Sequence, residues 1–243
     1  MDIRTVRYSA LDLDEPSAII GFPSSGLVSS IAANYYVSQL KMPVIAGLSG
    51  PELPPYCFLS GGNAYPPIRM YGHKGKVRRG KKEKDVVICL SEYAPKPEQC
   101  FDVVQSLGEY LRSLGTKEVI CIEGVPRMSP EDSIIACGSG PGSMEMVRKS
   151  KVPSMESGMI RGTSGVMMYE GPLYGFNVMS LIVPANQNIP DPGAAAGIIG
   201  PISRIIPGLK VDPDMLFKEA EEIDKHLSIR IPQEPDSNKM IYG

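Results

Sequence analysis

The sequence has 243 residues, 42% of them hydrophobic, which lets a single domain bury roughly 70 to 75% of the surface of its unfolded chain. Its 25 glycines and 23 prolines are too few for a low-complexity protein, in which these residues typically exceed about 25% of the chain. The formal net charge of −2 excludes the overall basic charge that is typical of nucleic-acid-binding proteins.

The first part of the chain contains short apolar runs around one helical pattern. In residues 25–40 the apolar side chains recur every four residues, which predicts a helix that packs on a sheet. Beyond it, Gly61 and Gly62 separate two apolar runs and predict a β-hairpin. Prolines inside the second run are expected to break that strand or to place it at an edge. Further strands are predicted at 17–21 and 44–48.

Residues 85–122 form the clearest unit of the sequence. Apolar runs at 85–90 and 118–122 predict two strands, and the apolar spacing of residues 97–114 predicts a helix that ends before Gly115. A helix between two strands is typical of a βαβ crossover, so we expect part of the sheet to be parallel.

The last part of the folded chain is predicted to add two strands and two helices. The strands are expected at 133–137 and 177–185, and the helices within 191–205 and at 213–228, where Asp212 is the expected N-cap. The whole pattern predicts one α/β domain over residues 1–228, with a largely parallel or mixed sheet. Residues 229–243 are polar and contain two prolines, so we expect a flexible tail that reaches roughly 50 Å when extended.

Compartment and metal content are predicted from absences and from the cysteines. The N-terminal residues lack the apolar stretch of a secretory signal, and no run of about 18 apolar residues predicts a membrane span. The five cysteines are widely spaced and mostly lie in apolar runs, so we expect reduced thiols and a cytoplasmic location. With only His73 and His226 and no paired cysteine motif, we expect no metal and no cofactor.

Two glycine-rich segments resemble phosphate-binding loops only in part. Residues 21–26, GFPSSG, lie between a predicted strand and helix but lack the lysine and the following hydroxyl residue of a P-loop. We therefore predict a tight turn there. Residues 137–143, CGSGPGS, have the wrong glycine spacing for a dinucleotide turn and are predicted to form a loop.

Residues 74–84 concentrate positive charge, with seven basic residues and one acidic residue. We predict a solvated loop between two strands. The alternatives are that this stretch binds an acidic protein surface or nucleic acid, and nucleic acid ranks last because the stretch lacks interleaved aromatic residues.

No established catalytic motif is present, and both histidines are predicted to be surface residues. Glu92, Glu123 and Glu170 follow strand-like or apolar segments and could face a crevice at the carboxyl ends of strands. They leave open a second hypothesis, a small-molecule enzyme of the phosphorylase, hydrolase or ATP-dependent ligase type with a crevice near residues 21–26.

The last three residues, Ile241, Tyr242 and Gly243, place a branched apolar side chain, a phenol and a carboxylate at the end of the predicted tail. A tyrosine offers a rigid amphipathic ring, and a chain terminus can be bound through its carboxylate. These residues predict either a docking motif or an arbitrary chain end.

Five segments between residues 15 and 228 follow one another in a characteristic order and spacing. They are IIGFPSSGLVSSIAANYYV, PELPPYCFL, the crossover that starts with DVVICLSEYAPKPEQC, SGMIRGTSGVMMYEG and LIVPANQNIPDPGAAAGIIGPI. Together these segments resemble the proteasome assembly chaperone family of archaeal and eukaryotic proteins.

The resemblance implies a three-layer α/β/α domain similar to the phosphorylase/hydrolase-like fold, with no catalytic residues to transfer. In family members that bind the proteasome core particle, a C-terminal motif of a hydrophobic residue, tyrosine and any residue enters pockets between neighbouring α subunits. Ile241, Tyr242 and Gly243 are similar to that motif position for position. The resemblance thus predicts a non-enzymatic, homo-oligomeric protein that binds proteasome α subunits.

Overall fold

The structure is a computed structural model that describes residues 3–78 and 80–230. These residues form twelve strands and seven α-helices. The strands are β1 (Arg4–Arg7), β2 (Ser17–Gly21), β3 (Val44–Ser49), β4 (Phe58–Ser60), β5 (Asn63–Tyr65), β6 (Ile68–His73), β7 (Val77–Arg78), β8 (Lys81–Lys82), β9 (Val86–Ser91), β10 (Glu118–Pro126), β11 (Ile135–Gly138) and β12 (Asn177–Ala185). The helices are α1 (Val28–Gln39), α2 (Cys100–Ser113), α3 (Pro141–Ser150), α4 (Gly162–Glu170), α5 (Pro192–Gly197), α6 (Ile199–Ile205) and α7 (Asp214–Arg230).

Eight strands form one mixed sheet in the order β1-β3-β6-β9-β2-β10-β12-β11. The four strands β9, β2, β10 and β12 run parallel to one another, and the strands on either side pair antiparallel. The predicted crossover from β9 through α2 to β10 is confirmed, but β2 lies between its two strands: Ile20 pairs with Cys89 on one side and with Cys121 on the other.

The sheet has a helical layer on each face, which confirms the predicted α/β fold. Successive residues of a strand point to opposite faces, so Ile19 packs with α1 and α6 whereas Ile20 packs with α2 and α4. Because both faces are covered, the central strands are buried along almost their whole length. This explains why apolar runs, and not alternating patterns, marked them in the sequence.

The predicted hairpin at Gly61 and Gly62 is confirmed: β4 pairs with β5, and both glycines have positive φ. Pro66 and Pro67 end this small sheet, and β6 then joins the main sheet. His73, predicted as a residue of the basic loop and of the surface, is instead the half-buried last residue of β6. Burial lowers the pKa of its imidazole.

Three segments differ from the predictions. The glycine-rich stretch after Cys137, predicted as a loop, opens α3, because Pro141 occupies its first turn and the Gly140 N–H donates to Ser143 Oγ at 2.9 Å. The basic stretch, predicted as a loop, forms the hairpin of β7 and β8. The helix predicted within 191–205 is divided into α5 and α6.

The last helix, α7, begins after Asp212, whose carboxylate accepts the N–H of Asp214 at 3.0 Å, as an N-cap does. It runs two residues beyond Ser228, to Arg230. Residues 231–243, where most of the tail is predicted, lie outside the described residues. Among the described helices, none has the length and apolar character that a bilayer crossing requires.

Candidate functional site

The carboxyl ends of the four parallel strands meet at one edge of the sheet, where ligand sites of α/β proteins usually lie. The loop at residues 21–26 begins at the last residue of β2 at this edge. A side chain at Gly21 would overlap Ala33 and the backbone of Ser29, so α1 packs directly against the loop. Leu27, which follows the loop, has a left-handed backbone conformation where α1 begins. The loop is therefore the tight turn that the sequence predicted.

Two residues of this loop, Ser24 and Gly26, bond to other parts of the fold. Ser24 Oγ bonds to Ser29 Oγ and accepts the N–H of Gly124 at 2.9 Å, which ties the loop to β10. Gly26 has φ of 63°, and its carbonyl accepts the N–H of Asp191 at 2.8 Å. None of these partners of Ser24 is a base, so the hydroxyl is not activated as a nucleophile.

Glu92, which follows β9, is bound to Arg69 of β6. The Arg69 Nη2 atom lies 2.6 and 2.7 Å from the two carboxylate oxygens of Glu92. The guanidinium also donates to Tyr71 Oη and to the carbonyls of Pro66 and Pro67. This ion pair holds a buried arginine in place, so Glu92 has a structural role at this edge.

Glu123 of β10 lies at this edge, and the pKa of its carboxyl is shifted. Burial raises the pKa of its carboxyl to about 7, although the hydrogen bond from Ser164 Oγ, at 2.9 Å, opposes the rise. Serine and glutamate could act as nucleophile and base, but Ser164 is only 4% exposed. A substrate carbonyl could not approach it without a rearrangement of α4.

Glu170 does not share this edge, contrary to the prediction. It is the last residue of α4, and the next residue, Gly171, packs against Val178 at the start of β12. The start of β12 lies at the opposite edge of the parallel strands. The three glutamates therefore do not form one site.

A cavity of about 880 Å³ opens at the carboxyl end of β12, beside the loop that follows it. Apolar, amide and charged groups line it: Met128 is 88% exposed, and the amide side chains of 186–188 and the guanidinium of Arg127 surround the opening. Such a mixture suits an extended peptide, whose backbone bonds to amides and whose side chains contact apolar groups. We call this cavity the edge groove. Its lining does not include residues 21–26, Glu92 or Glu123.

Asp191 holds the wall of the edge groove together. Its carboxylate accepts the N–H of Ala194 at 2.8 Å, which caps α5, and the N–H of Asn186 at 3.0 Å, which closes the loop. Arg127 Nη2 lies 3.9 Å from the same carboxylate and donates to the Pro184 carbonyl at 3.0 Å. One acid thereby fixes the loop, the helix and the position of the arginine.

Helix α7 forms the other wall of the edge groove through Phe217, Ala220 and Ile223. It continues for seven residues beyond Ile223, which is roughly 10 Å of helix. The described part of α7 therefore extends past the edge groove. Ile241, Tyr242 and Gly243 themselves lie outside the described residues.

Groups of three or more histidine, cysteine, aspartate or glutamate residues that could hold a metal ion do not occur within 3–78 and 80–230. Four of the five cysteines are buried, and Cys57 is exposed. Burial raises the pKa of the Cys89 thiol to about 12, so this thiol is protonated and unreactive.

Residues 18–229 match the PAC2 family. The chain belongs to the PAC2 family. Among sequence relatives, an uncharacterized protein of Methanocaldococcus jannaschii is 21% identical over 225 residues, which are 93% of this chain and 89% of the relative.

Solved structures of two Pyrococcus furiosus proteins have the same fold as this PAC2 protein. PbaA, described as an archaeal homolog of proteasome-assembly chaperone, has a TM-score of 0.79 and 24% identity over 93% of this chain and 95% of its own. PbaB, described as an archaeal proteasome activator, has a TM-score of 0.79 and 23% identity over 93% of this chain and 98% of its own.

Sequence reasoning missed the edge groove of this PAC2 protein. Arg127, Asp191 and Phe217 are far apart in the sequence, and only the Asp-Pro pair at Asp191 gave a local signal, that of a helix start. The family resemblance did mark the segment around Asp191, but no motif indicated that α7 would close a cavity against it.

Proposed function

We propose that this protein is an assembly chaperone or activator of the proteasome, which binds the α ring of the core particle through Ile241, Tyr242 and Gly243. The observation that carries the proposal is that the chain belongs to the PAC2 family and shares its fold with PbaA and PbaB over 93% of its length. PbaA is described as an archaeal homolog of proteasome-assembly chaperone, and PbaB is described as an archaeal proteasome activator.

The geometry of α7 supports the proposal. The described part of α7 reaches Arg230, and thirteen more residues follow in the sequence. An extended segment of that length spans roughly 45 Å. The motif of Ile241 and Tyr242 can therefore reach a pocket on a partner while the folded domain stays outside that pocket.

Self-association is part of the proposal, because one short motif contributes little affinity alone. When several copies present several motifs to a ring of α subunits, the effective concentration can raise the overall affinity by roughly 10² to 10⁴. The cytoplasm, where the core particle is available, is the proposed location, and no cofactor or metal takes part.

The experiment measures binding of the full chain to purified core particle by interferometry. We expect Tyr242→Ala to weaken binding at least about tenfold, because the aromatic ring is the main anchor. Tyr169→Ala is the matched control, since Tyr169 is an exposed tyrosine on α4. Equal binding of the wild type, Tyr242→Ala and a chain without residues 241–243 would refute docking through this motif.

A second assay separates the two roles. An activator is expected to increase hydrolysis of a fluorogenic peptide by the assembled core particle, whereas an assembly chaperone is expected to increase the yield of α rings from isolated subunits. An increase in neither assay would contradict the proposed function even if binding were observed.

A further inference from the structure

The two edges of the main sheet differ in whether their backbone groups have partners. At the β11 edge, the Ala136 N–H donates to the Pro153 carbonyl at 2.9 Å, and the Ala136 carbonyl accepts the N–H of Met155 at 2.8 Å. The chain that follows α3 therefore covers this edge. The opposite edge is β1, which pairs with β3 and with no other described strand.

The hydrogen bonds of β1 identify the backbone groups that face away from the sheet. Next to the pair of Arg7 with Ala46, the Tyr8 N–H donates to the Ile45 carbonyl at 2.9 Å. Residues of an antiparallel strand turn their N–H and C=O groups alternately toward the partner strand and away from it. Thr5 and Arg7 therefore direct these groups away from β3, where no group in the described part of the chain bonds to them.

A groove lies between β1 and α2 at this free edge. Its first cavity, of about 440 Å³, is lined by Arg4 and Thr5 and, from α2, by Ser113. Arg4 and Thr5 point to opposite faces of the sheet, so a cavity lined by both reaches the edge between them. A second cavity, of about 470 Å³, adjoins the first, because Arg7 and Tyr110 line both. We call the two cavities together the β1 groove.

The second cavity of the β1 groove suits an apolar side chain. Leu11, Ile45 and Leu114 line it beside the ring of Tyr110. The guanidinium carbon of Arg7 lies 5.7 Å from the centre of that ring, so this side chain points to the face that α2 covers. The groove thus joins an apolar pocket to a cationic group.

Arg4 and Arg7 give the β1 groove a positive charge. Both are exposed, and neither forms an ion pair with an acidic residue in the described part of the chain. Glu109 lines the first cavity and Asp12 the second, but Asp12 is paired with Lys74 at 3.0 Å. A carboxylate of a partner would therefore meet two guanidinium groups that lack an acidic partner.

Repulsion disfavours a second copy of this chain as the occupant. Edge-to-edge pairing of two copies would bring Arg4 and Arg7 of one copy beside those of the other, and like charges on neighbouring strands destabilise the pair. Charged side chains commonly protect edge strands from self-pairing in this way. The same two arginines attract a strand that carries carboxylates.

We propose that β1 binds an extended acidic segment of a partner protein as a ninth strand of the main sheet. The backbone groups of Thr5 and Arg7 supply hydrogen bonds, which give affinity, and the β1 groove supplies side-chain contacts, which give selectivity. Side chains of a strand alternate between its two faces. Apolar residues of the segment that face α2 contact Leu11 and Leu114, and acidic residues between them lie on the face of Arg4.

This inference does not rest on the proposed function, and the experiment uses the full chain without core particle. The probe is a fluorescently labelled peptide of about nine residues, the length of a typical strand, in which glutamate and valine alternate. We expect saturable binding by fluorescence anisotropy, and at least about tenfold weaker binding when lysine replaces glutamate in the peptide. No saturation up to about 1 mM peptide, or equal affinity for both peptides, would overturn the proposal.

Thr5→Pro tests the backbone hydrogen bonds. Proline lacks an N–H, but the Thr5 N–H faces away from β3, so the variant loses no bond inside the sheet. We expect the thermal melting of the wild type and at least about tenfold weaker binding of the glutamate peptide. Thr5→Ala is the matched control, since it keeps the N–H and should bind as the wild type does. Wild-type affinity of Thr5→Pro would overturn strand pairing at β1.

A change in the peptide tests the same bonds without altering the protein. Only one edge of the bound peptide faces β1, and its N–H groups belong either to the valines or to the glutamates. Methylation of the valine nitrogens and methylation of the glutamate nitrogens should therefore give affinities that differ at least about tenfold. Equal affinities of the two methylated peptides would contradict the addition of a strand.

Arg4→Glu/Arg7→Glu tests the charges of the β1 groove. We expect this variant to bind the glutamate peptide at least about tenfold more weakly than the wild type does, and to prefer the lysine peptide. Lys149→Glu/Lys210→Glu is the matched control, because it makes the same change in net charge at exposed residues outside the groove. A control that also loses the preference for glutamate would overturn the assignment, since overall charge would then explain the binding.

The oligomeric state of the protein without peptide tests the choice of partner. Wild type and Thr5→Pro are compared by analytical ultracentrifugation, and we expect the same average mass for both. Self-association that Thr5→Pro abolishes would overturn the proposal, because the free edge would then bind a second copy. Failure of tail docking leaves each of these results unchanged, so the two proposals can fail separately.

Discussion

Arg69 and Glu92 form an ion pair that connects an antiparallel strand to the carboxyl edge of the parallel ones. The arginine is buried, and its guanidinium donates to the acceptors described above. The centre of the Phe58 aromatic ring lies 4.2 Å from its guanidinium carbon. The glutamate is 40% exposed on its side chain. A carboxylate that the enzyme hypothesis assigned to chemistry is thus occupied by a structural cation.

Glu92→Ala is expected to destabilise the fold by about 1 to 2 kcal/mol. The change leaves the charge of buried Arg69 with neutral acceptors only, while the exposure of Glu92 limits the loss. The free energy of unfolding is measured by urea denaturation, with the exposed Glu131→Ala as control. A Glu92→Ala protein as stable as this control would show that the ion pair contributes nothing.

Gly26→Ala is expected to lower the free energy of unfolding by about 3 kcal/mol or more. Gly26 has positive φ, and an added Cβ would lie 2.9 Å from both Ala185 Cβ and the Asn186 carbonyl, so backbone strain and overlap add together. Gly61→Ala is the matched control, because Gly61 also has positive φ but faces open space, and only about 1 kcal/mol is expected there. Equal losses at the two positions would contradict close packing of the loop on β12.

The central strands could be predicted because burial on both faces requires nearly continuous apolar runs, as at 86–91 and 177–185. The order of the strands could not be predicted. Ile20 pairs with Cys89 and with Cys121, which lie roughly 70 and 100 positions away, and no local pattern in the sequence indicates such distant pairing. Helix α4 was not predicted, because Gly162 and Gly165 weaken its helical pattern.

The candidate sites also differ in how far the sequence predicts them: local features were predicted, and features that depend on distant contacts were not. The turn at residues 21–26 was predicted because glycines and missing phosphate ligands are local features. The hairpin within 74–84 was not, because its formation depends on tertiary bonds such as that from the Gly75 N–H to Asp85. The edge groove joins segments that only the folded sheet brings together, so Arg127 and Phe217 had no sequence signal.

Asp191→Ala is expected to destabilise the fold by about 2 to 3 kcal/mol, because it removes both the cap of α5 and the bond that closes the loop at Asn186. Amide hydrogen exchange should also become faster at 186–191 than elsewhere. Asp212→Ala is the comparison, since it removes a carboxylate that accepts the N–H of Asp214, and it should lower the free energy of unfolding by about 1 kcal/mol. Unchanged exchange around Asn186 would mean that Asp191 does not organise the edge groove.

Glu123 makes stability depend on pH near neutrality. Burial raises the pKa of its carboxyl from 4.5 to about 7 in the folded protein, so between these values the folded state keeps a proton that the unfolded state has lost. The stability contributed by the neutral carboxyl is complete below about pH 4.5 and is lost as the pH rises through 7. The loss is up to about 3 kcal/mol.

Glu123→Gln removes this dependence, because glutamine stays neutral and its amide oxygen can still accept from Ser164 Oγ. We expect the variant and the wild type to be similarly stable at pH 5, and the variant to be more stable by up to about 3 kcal/mol at pH 8. The free energy of unfolding is measured across this range, with Glu131→Gln as the exposed control. Wild-type and Glu123→Gln curves that stay parallel from pH 5 to 8 would show that the Glu123 carboxyl is already ionised in the folded protein at pH 5.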